Sequence, residues 1–449
     1  MMGYKASKFN FFTETTSGDI IIFNTYRGID SIRKISSTKK DYFINLLRSE
    51  KIASDNSELF RSLFDRGFLV DENCDEDQRL RLLYLNGINN GTLNLLILPT
   101  EQCNFRCIYC YEDFKRGRMS DEIQNAIIKY VKANIHNYRG LNVSWFGGEP
   151  LLALDIIKSL SEKFIDICKN HRIPYTSGIT SNGYLLNAKT FKELYDLKVL
   201  SYNITIDGTK ETHNQQKPLA NGQESFDTVI NNMIDIKNNV KNNFFKVNIR
   251  TNFTKEIRKN LQDYVDYFYS KFGEDKRFSF LARPAGDWGG STVKNFSDNL
   301  LQEEDSFSGV FEDFLKYDKT LNYTTHLDFL NPCGSFCIMS RINSFLIDSE
   351  ANIRKCSCSL DDDRNIIGKL ENNGNMLLDI DAMAKWVDFY SPDGKCKNCF
   401  FAPACLNNSC LAIKVLNRNS NNECHVYEKK YLRLILKLID KTDEIEVLT

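Results

Sequence analysis

The sequence predicts a mixed α/β protein centred on a partial, TIM-like (β/α)6 barrel, with an N-terminal winged-helix-like module and a cysteine-rich C-terminal extension. Three observations lead to this fold class. Strand and helix patterns alternate from residue 93 to about residue 284, which is typical of a parallel sheet with crossover helices. Two short helical patterns lie within the first 90 residues, and nine of the 14 cysteines lie between Cys333 and Cys424. Because 449 residues are too many for one ordinary core, we expect domains at 1–90, 91–300 and 301–449.

The N-terminal module combines short strands with two amphipathic helices. In order, the predicted elements are a strand at Asp19–Asn24, helices at Tyr42–Leu47 and Leu59–Phe64, and a strand at Phe68–Val70. Gly67 stands where a glycine commonly ends a helix. The charged stretch Asp71–Arg81 is interpreted as a linker to the next domain.

The central region contains six strand patterns separated by amphipathic helices. The predicted strands are Leu93–Leu98, Leu141–Phe146, Tyr175–Thr180, Leu200–Ile206, Phe245–Asn252 and Phe278–Ala282. The helix predicted at Ser120–Ile135 has a serine that can cap its first turn and an apolar face. In such sheets ligands bind at the carboxyl ends of the strands, so we expect the functional loops to follow each strand.

A cysteine triplet follows the first of these strands. Cys103, Cys107 and Cys110 are separated by three and then two residues. Three thiolates can ligate three irons of a four-iron cluster, which leaves one iron free to bind a small molecule. The alternatives are a zinc site or a chance group of buried thiols. Zinc usually takes four protein ligands, often in paired C-x2-C form, and no fourth ligand lies nearby in sequence.

Further candidate residues follow the other strands at the same predicted edge. They are Gly147, Gly148, Glu149 and Pro150 after the second strand, Ser181 and Asn182 after the third, and Arg250 and Asn252 in the fifth. Paired glycines let backbone approach a ligand closely, and the Glu149 carboxylate can accept a hydrogen bond from an ammonium group. For Arg250 and Asn252 an equal alternative is a structural role at the strand end. Lys217 is interpreted as a solvated charge, and the sequence singles out no catalytic residue.

Composition excludes several classes of partner. The formal net charge is −1 and the pI is about 6.6, so no basic field is available for nucleic acid or an anionic membrane. Residues 1–10 lack the apolar core of a signal peptide, and no apolar run approaches the roughly 20 residues that span a bilayer. We therefore expect a cytoplasmic protein, in which thiols serve as metal ligands more often than as disulfides.

The cysteine triplet with the Gly147–Pro150 motif resembles the radical S-adenosylmethionine (SAM) enzymes. The resemblance implies that Cys103, Cys107 and Cys110 bind a [4Fe-4S] cluster whose free iron is chelated by SAM. An electron from that cluster cleaves SAM to a 5′-deoxyadenosyl radical in this family. It also implies that Glu149 binds the SAM amino group, that Ser181 and Asn182 contact the ribose, and that Arg250 and Asn252 lie near the SAM carboxylate.

The C-terminal cysteines resemble the SPASM extension of radical SAM peptide and sulfatase maturases. Cys396, Cys399 and Cys405 match its x2 and x5 spacings, although four residues rather than the usual three separate Cys405 from Cys410. Ala351 stands where the family commonly has glycine. The resemblance implies two auxiliary [4Fe-4S] clusters, one on Cys333, Cys337, Cys356 and Cys410 and one on Cys396, Cys399, Cys405 and Cys424. Cys358 is an alternative to Cys333, and two zinc sites are the alternative for the whole region.

The N-terminal module is similar to the leader-peptide recognition domains of ribosomal-peptide maturases. Such domains pair an edge strand with the leader, and the strand Asp19–Asn24 is predicted to offer that edge. The combined resemblance implies an enzyme that oxidises a ribosomally made precursor peptide, forming a cysteine thioether crosslink, with a flavodoxin- or ferredoxin-type electron donor. The alternatives are an anaerobic sulfatase maturase that forms formylglycine and a non-catalytic iron–sulfur electron carrier.

Overall fold

The computed structural model describes two compact units of the chain. Residues 1–90, 323–338 and 388–449 belong to the first unit, and residues 91–322 and 339–387 belong to the second. The described residues are 3–53, 57–288, 290, 292–301, 313, 328–387, 396–406, 410–416, 432, 433, 436, 447 and 448. Cys424, one of the predicted cluster ligands, lies outside them. No helix in these ranges is long and apolar enough to cross a membrane.

The chain contains 17 described strands and 13 described α-helices. The strands are β1 Gly3–Ala6, β2 Asn10–Glu14, β3 Ile20–Asn24, β4 Arg33–Ile35, β5 Ile52–Ala53, β6 Leu69–Asp71, β7 Thr92–Thr100, β8 Gly140–Gly147, β9 Tyr175–Ser181, β10 Val199–Thr205, β11 Lys246–Phe253, β12 Phe278–Pro284, β13 Ser344–Ile347, β14 Asn352–Arg354, β15 Ile366–Leu370, β16 Met376–Leu378 and β17 Val447–Leu448. The α-helices are α1 Lys40–Leu46, α2 Glu58–Asp65, α3 Glu76–Ile88, α4 Asp121–Asn134, α5 Leu154–His171, α6 Ala188–Asp196, α7 Lys210–Gln216, α8 Phe226–Asn239, α9 Lys255–Lys259, α10 Leu261–Phe272, α11 Ile380–Val387, α12 Ala402–Cys405 and α13 Leu411–Val415. Short 3-10 helices cover Gly28–Ser31, Ser37–Lys39, Ile135–Asn137, Pro150–Ala153, Val293–Asn299, Asp328–Leu330, Ile338–Ser340 and Asp363–Asn365.

The first unit contains two small sheets. Their strand orders are β5-β1-β6 and β17-β4-β3-β2. The predicted strand before the helices is β3, the two predicted helices are α1 and α2, and Gly67 ends α2 with a φ of +78°. Ile20, Ile22, Phe43, Leu63 and Phe68 form the core between these elements. The strand and helix content therefore agrees with the predicted module, and its winged-helix assignment stays a prediction.

The interpretation of Asp71–Arg81 as a linker is wrong, because most of it belongs to helix α3. Asp75 caps the helix by accepting hydrogen bonds from the backbone of Asp77 and Gln78. Leu80 and Tyr84, four residues apart, are buried in a core with Phe9 and Leu406. The stretch resembles a linker in sequence because charged residues surround this pair. The pair nevertheless forms the apolar stripe that packs the helix onto the core.

The strand predicted to bind the leader at its edge, Asp19–Asn24, is not an edge strand. Strand β3 pairs with β2 on one side and with β4 on the other, and all five of its residues are buried. A strand paired on both sides has no free edge for a peptide. Among the described strands of this sheet, β2 has a neighbour on one side only.

The second unit is built on one sheet with the strand order β12-β11-β10-β9-β8-β7-β13-β14-β15-β16. Strands β7 to β12 are parallel, and consecutive strands of the chain are neighbours in the sheet, as in a (β/α) barrel. All six predicted strands are confirmed, as is the mixed α/β fold class. Ser120 caps α4 through a hydrogen bond from Ile123 N at 3.4 Å, as expected.

Residues 344–378 extend this sheet beyond the predicted core. Strand β13 pairs in parallel with β7, and β14, β15 and β16 continue as an antiparallel series. Ala351 forms the turn between β13 and β14 with a φ of +68°. That is the left-handed region in which glycine is favoured, so the alanine at this position is strained.

Candidate functional site

A cavity of about 270 Å³ opens at the carboxyl ends of the parallel strands of the second unit. The carboxyl ends of β8 to β12 and the loops that follow β7, β8, β9 and β12 contribute to its wall. The predicted site residues that line it are Cys103, Cys107, Cys110, Gly147, Gly148, Ser181, Asn182, Arg250 and Asn252. The structure thus brings together residues that lie up to about 150 positions apart in the chain.

The cysteine loop is held by backbone pairing with residues 216–220. Arg106 N donates to Pro218 O at 2.9 Å and Ile108 N donates to Gln216 O at 3.0 Å. Phe105, between the first two cysteines, is fully buried and anchors the loop. The loop therefore presents Cys103, Cys107 and Cys110 to one cavity from a fixed backbone.

These three thiols fit the donor set of an iron–sulfur cluster. Burial raises the pKa of all three, that of Cys110 to about 12; binding iron therefore requires them to lose protons. Within the described ranges no group of three Cys, His, Asp or Glu side chains converges on one point as ligands of a single metal ion. A four-iron cluster takes each thiolate on a different iron, and thiols spread along one cavity wall suit that arrangement.

The paired glycines are required by close backbone contact. A Cβ on Gly147, whose φ is +114°, would lie 2.2 Å from Thr100 O. A Cβ on Gly148 would lie 2.5 Å from Gln102 O. The end of β8 therefore packs directly against the segment that leads from β7 into the cysteine loop, and any side chain here would push the two apart.

Glu149 lies behind the cavity wall with its carboxylate fully buried. Its Oε1 accepts hydrogen bonds from Leu151 N at 3.0 Å and Ser181 Oγ at 2.9 Å, and its Oε2 accepts from Asn182 N at 2.8 Å. Burial raises the pKa of Glu149 to about 7, although these hydrogen bonds lower it. Pro150 is buried beside it and begins a 3-10 turn.

Asn182 connects this region to the cysteine loop. Its Nδ2 donates to Asn104 Oδ1 at 2.8 Å and lies 4.0 Å from Cys103 Sγ. Glu149 therefore positions Asn182, and Asn182 in turn braces the first cysteine.

Tyr109 is the centre of a hydrogen-bond group that the sequence did not indicate. Its hydroxyl bonds to Asp207 Oδ2, and it accepts from Asn252 Nδ2 at 3.0 Å and Lys217 Nζ at 3.4 Å. Asn252 N also donates to Asp207 Oδ1 at 2.8 Å. Asn252 thus reaches a side chain of the cysteine loop as well as lining the cavity, whereas the Arg250 side chain is more exposed.

The interpretation of Lys217 as a solvated charge is wrong. Its side chain lines the cavity, the residue is only 4% exposed, and Nζ donates to Cys107 Sγ at 3.7 Å. Burial lowers its pKa, but the neighbouring Cys107 and Asp207 outweigh that effect and the pKa is raised. The sequence around a lysine does not indicate which distant segments will bury its side chain.

The far wall of the cavity carries polar residues that sequence reasoning did not single out for this site. Tyr111, Glu112, Trp288 and Cys358 lie there. Burial, and then the nearby Glu101 carboxylate, raises the pKa of Glu112 to about 8. A hydrogen bond with Cys356 holds the pKa of Cys358 below its usual range in spite of burial. Cys358, which the sequence offered as an alternative auxiliary ligand, therefore lies on the same cavity as Cys103.

The auxiliary cysteines are distributed over both units. Cys333, Cys337, Cys396, Cys399, Cys405 and Cys410 belong to the first unit, whereas Cys356 belongs to the second. Cys333 and Cys399 pack against the core of α3 and α12, and Cys333 N donates to Pro403 O at 2.9 Å. The assignment of these thiols to two clusters stays a prediction.

Comparison with known proteins identifies one domain of the chain. Residues 97–267 match the family model of the radical SAM superfamily. A cysteine-type anaerobic sulfatase-maturating enzyme of Clostridium novyi (strain NT) is 27% identical over 384 residues, which cover 77% of this chain and 96% of that protein. The solved structure of native anSMEcpe with bound AdoMet has a TM-score of 0.56 at 19% identity, covering 78% of this chain and all of the other. The same protein with AdoMet and Cp18Cys peptide has a TM-score of 0.55 at 19% identity, covering 78% and 99%.

The matched segment contains most of the cavity wall. It runs from within β7 to within α10 and includes Cys103, Cys107, Cys110, Gly147 and Asn182. The alternative of a non-catalytic electron carrier is thereby set aside: residues 97–267 form a radical SAM domain, and the chain is an enzyme.

Proposed function

We propose that this enzyme binds a [4Fe-4S] cluster through Cys103, Cys107 and Cys110 and binds SAM in the adjoining cavity. The observation that carries the proposal is that these thiols share one cavity with Gly147, Gly148, Ser181 and Asn182. Cluster and SAM together would supply a 5′-deoxyadenosyl radical that abstracts a hydrogen atom from the substrate. The two glycines present backbone to the ligand, and Asn182, Arg250 and Asn252 offer polar groups to its ribose and carboxylate.

Glu149 has two roles in this proposal. Its buried carboxylate holds the backbone of Asn182 in place, and it attracts the SAM ammonium group by charge. Three hydrogen bonds within the chain hold the carboxylate behind the cavity wall, and the fourth that a carboxylate can accept would come from the SAM ammonium.

We further propose two auxiliary [4Fe-4S] clusters in the C-terminal region. Cys333, Cys337, Cys356 and Cys410 would hold one, and Cys396, Cys399, Cys405 and Cys424 the other. The chemistry of the donor set supports this, since thiolates are the usual ligands of such clusters. With the SAM cluster, the total becomes three. A flavodoxin- or ferredoxin-type protein of the cytoplasm would supply the electrons.

The proposed substrate is a ribosomally made precursor peptide, and the proposed product is a cysteine thioether crosslink. A structure with the same fold is solved with Cp18Cys peptide, which supports a peptide as the substrate. Formylglycine formation is the second candidate, because the relative from Clostridium novyi is a sulfatase-maturating enzyme that aligns over 96% of its length. About a quarter of this chain lies outside that alignment, since 77% is covered.

The leader of the precursor would bind the N-terminal module at the edge of β2 that has no neighbour among the described strands. Thr15 N donates to Asp19 O at 2.8 Å across the β2–β3 hairpin. Because hydrogen-bonded and non-bonded pairs alternate in an antiparallel ladder, the N–H of Glu14 faces away from β3. An added peptide strand would accept from that group.

Anaerobic assay of the reconstituted, reduced enzyme tests the function. Release of 5′-deoxyadenosine from SAM is expected without peptide and should be coupled to modification when the cognate peptide is present. A thioether lowers the peptide mass by about two units per crosslink through loss of two hydrogens. An aldehyde on a single Cys or Ser would establish the sulfatase-maturase alternative instead, and absence of 5′-deoxyadenosine would refute the SAM proposal.

A further inference from the structure

Lys217 is a buried cation that the proposed function leaves without a role. Its ammonium lies 3.7 Å from Cys107 Sγ and 3.4 Å from Tyr109 Oη. It also lies over the rings of Phe105 and Tyr109, at 5.6 Å and 5.8 Å from their centroids. All of these partners belong to the cysteine loop, so the charge of Lys217 is directed at that loop.

The backbone of Lys217 is fixed independently of its side chain. Lys217 N donates to His213 O at 2.7 Å, and Lys217 O accepts from Ser225 Oγ at 2.7 Å. The preceding residue, Gln216, receives the backbone N–H of Ile108 at 3.0 Å. The lysine is therefore held beside the loop by bonds that need no ligand in the cavity.

A buried ammonium is costly unless another charge compensates it. No carboxylate within the described ranges forms an ion pair with Lys217. Asp207 acts on Lys217 by charge but bonds to Tyr109 and to Asn252 N. The sulfur of Cys107 is in direct contact with the ammonium at 3.7 Å, and it becomes a thiolate when it binds iron.

We infer that Lys217 is a positioning residue that sets the reduction potential of the cluster proposed at Cys103, Cys107 and Cys110. The inference rests on that proposed cluster. Hydrogen bonds to the ligating sulfurs and nearby charge tune such potentials. A cation close to one thiolate stabilises the reduced cluster, which carries one more negative charge, and so raises the potential.

The test is a redox titration of full-length protein followed by electron paramagnetic resonance, without SAM. Lys217→Gln removes the charge and keeps a hydrogen-bond donor, whereas Lys217→Arg keeps the charge. Lys210→Gln is the matched control, because Lys210 lies on α7 but pairs with Asp227 at the surface. The signal of the full-length variant with Cys103, Cys107 and Cys110 all replaced by Ala is subtracted to isolate the cluster of interest.

We expect a lower midpoint potential for Lys217→Gln and unchanged potentials for Lys217→Arg and Lys210→Gln. An unchanged potential in Lys217→Gln overturns the inference, and weakened SAM binding in that same variant would then assign Lys217 to the SAM carboxylate. If Lys217→Gln holds no iron at this site, Lys217→Met is titrated in its place, and loss of iron from both overturns the inference in favour of a role in assembly. Wild-type protein that has no iron removable by the triple replacement would instead refute the proposed cluster itself.

Discussion

Glu149 accepts a hydrogen bond from the backbone N–H of Asn182 at 2.8 Å, across the ends of two neighbouring strands. The bond joins the motif after β8 to the motif after β9, so two segments expected to contact SAM separately are one structural group. It also means that a change at Glu149 has two consequences. One is the loss of a negative charge near the ligand, and the other is the loss of support for Asn182.

Glu149→Ala should weaken SAM binding by about ten- to a hundredfold, because a charge-assisted hydrogen bond contributes roughly 1.5–3 kcal/mol. Isothermal titration of SAM into the reconstituted protein measures this, and cluster absorbance should be unchanged. Glu149→Gln is the comparison, since it removes the charge and keeps an oxygen that can accept from Asn182 N. SAM affinity of Glu149→Gln equal to that of the wild type would mean that Glu149 only supports the loop.

SAM affinity should rise as the pH rises from 5 to 7. Burial raises the pKa of Glu149 to about 7, so the carboxyl is largely neutral at pH 5 and must ionise to attract the ammonium, at a cost of up to about tenfold per pH unit. The SAM amino group stays protonated in this window because α-amino groups titrate near pH 8. In Glu149→Gln the SAM affinity should no longer depend on pH in this window. The same pH dependence in both proteins would contradict a role of Glu149 in binding SAM.

The same raised pKa predicts how the SAM-free protein responds to pH. The pKa of Glu149 in the folded protein exceeds the usual 4.5. The stabilising contribution of the neutral carboxyl is therefore complete below pH 4.5. It is lost as the pH rises toward 7. Urea unfolding of wild type and Glu149→Gln at matched pH values measures this contribution. The free energy of unfolding of the wild type should fall more steeply as the pH rises.

Replacing Cys103, Cys107 and Cys110 together with Ala should remove about a third of roughly twelve irons, the content of three four-iron clusters. SAM cleavage should be abolished while the auxiliary clusters remain. Iron and sulfide analysis of anaerobically prepared protein measures the change. Equimolar zinc with little iron in wild-type protein would overturn the cluster proposal.

Ala351→Gly should stabilise the protein by about 1 kcal/mol. Ala351 has a φ of +68°, where a Cβ costs roughly 1–2 kcal/mol, and the greater freedom of glycine in the unfolded chain offsets part of the gain. The midpoint of urea unfolding is the measurement. Ala285→Gly is a control, because Ala285 is buried and is not among the residues with positive φ. The Ala285→Gly variant should be no more stable than the wild type.

Glu14→Pro should weaken binding of the leader peptide, because it removes the N–H on the side of β2 that faces away from β3. Glu14→Ala keeps that N–H and, like the proline variant, loses the surface ion pair with Lys40 at 2.6 Å. Fluorescence anisotropy of a labelled leader on full-length protein compares the two. Equal leader affinities of the two variants would mean that the leader does not pair with β2.

Point variants suit this question better than removal of residues 1–90. Phe9, Leu80 and Tyr84 share a core with Phe336 and Leu406. A truncated chain would therefore expose apolar surface in the C-terminal cysteine region. Loss of activity in it would report damage to that region as well as loss of leader binding.

The sequence by itself determined the parallel sheet and the position of the cysteine loop. Apolar runs of strand length and the cap at Ser120 are local signals, and each acts within a few residues. The carboxyl ends of parallel strands must lie at one edge, so the sequence order of strands and motifs was enough to place Cys103, Gly147 and Asn182 together.

Only the tertiary structure decided which polar side chains are enclosed and what they contact. Lys217 and Tyr109 are 108 positions apart, and no local pattern records that their backbones will be neighbours. Strand β3 was recognisable as a strand, but whether it lies at an edge depends on the strands that pair with it. Charge placement and strand pairing are set by long-range contacts, whereas helix and strand periodicity is set by the chain geometry of adjacent residues.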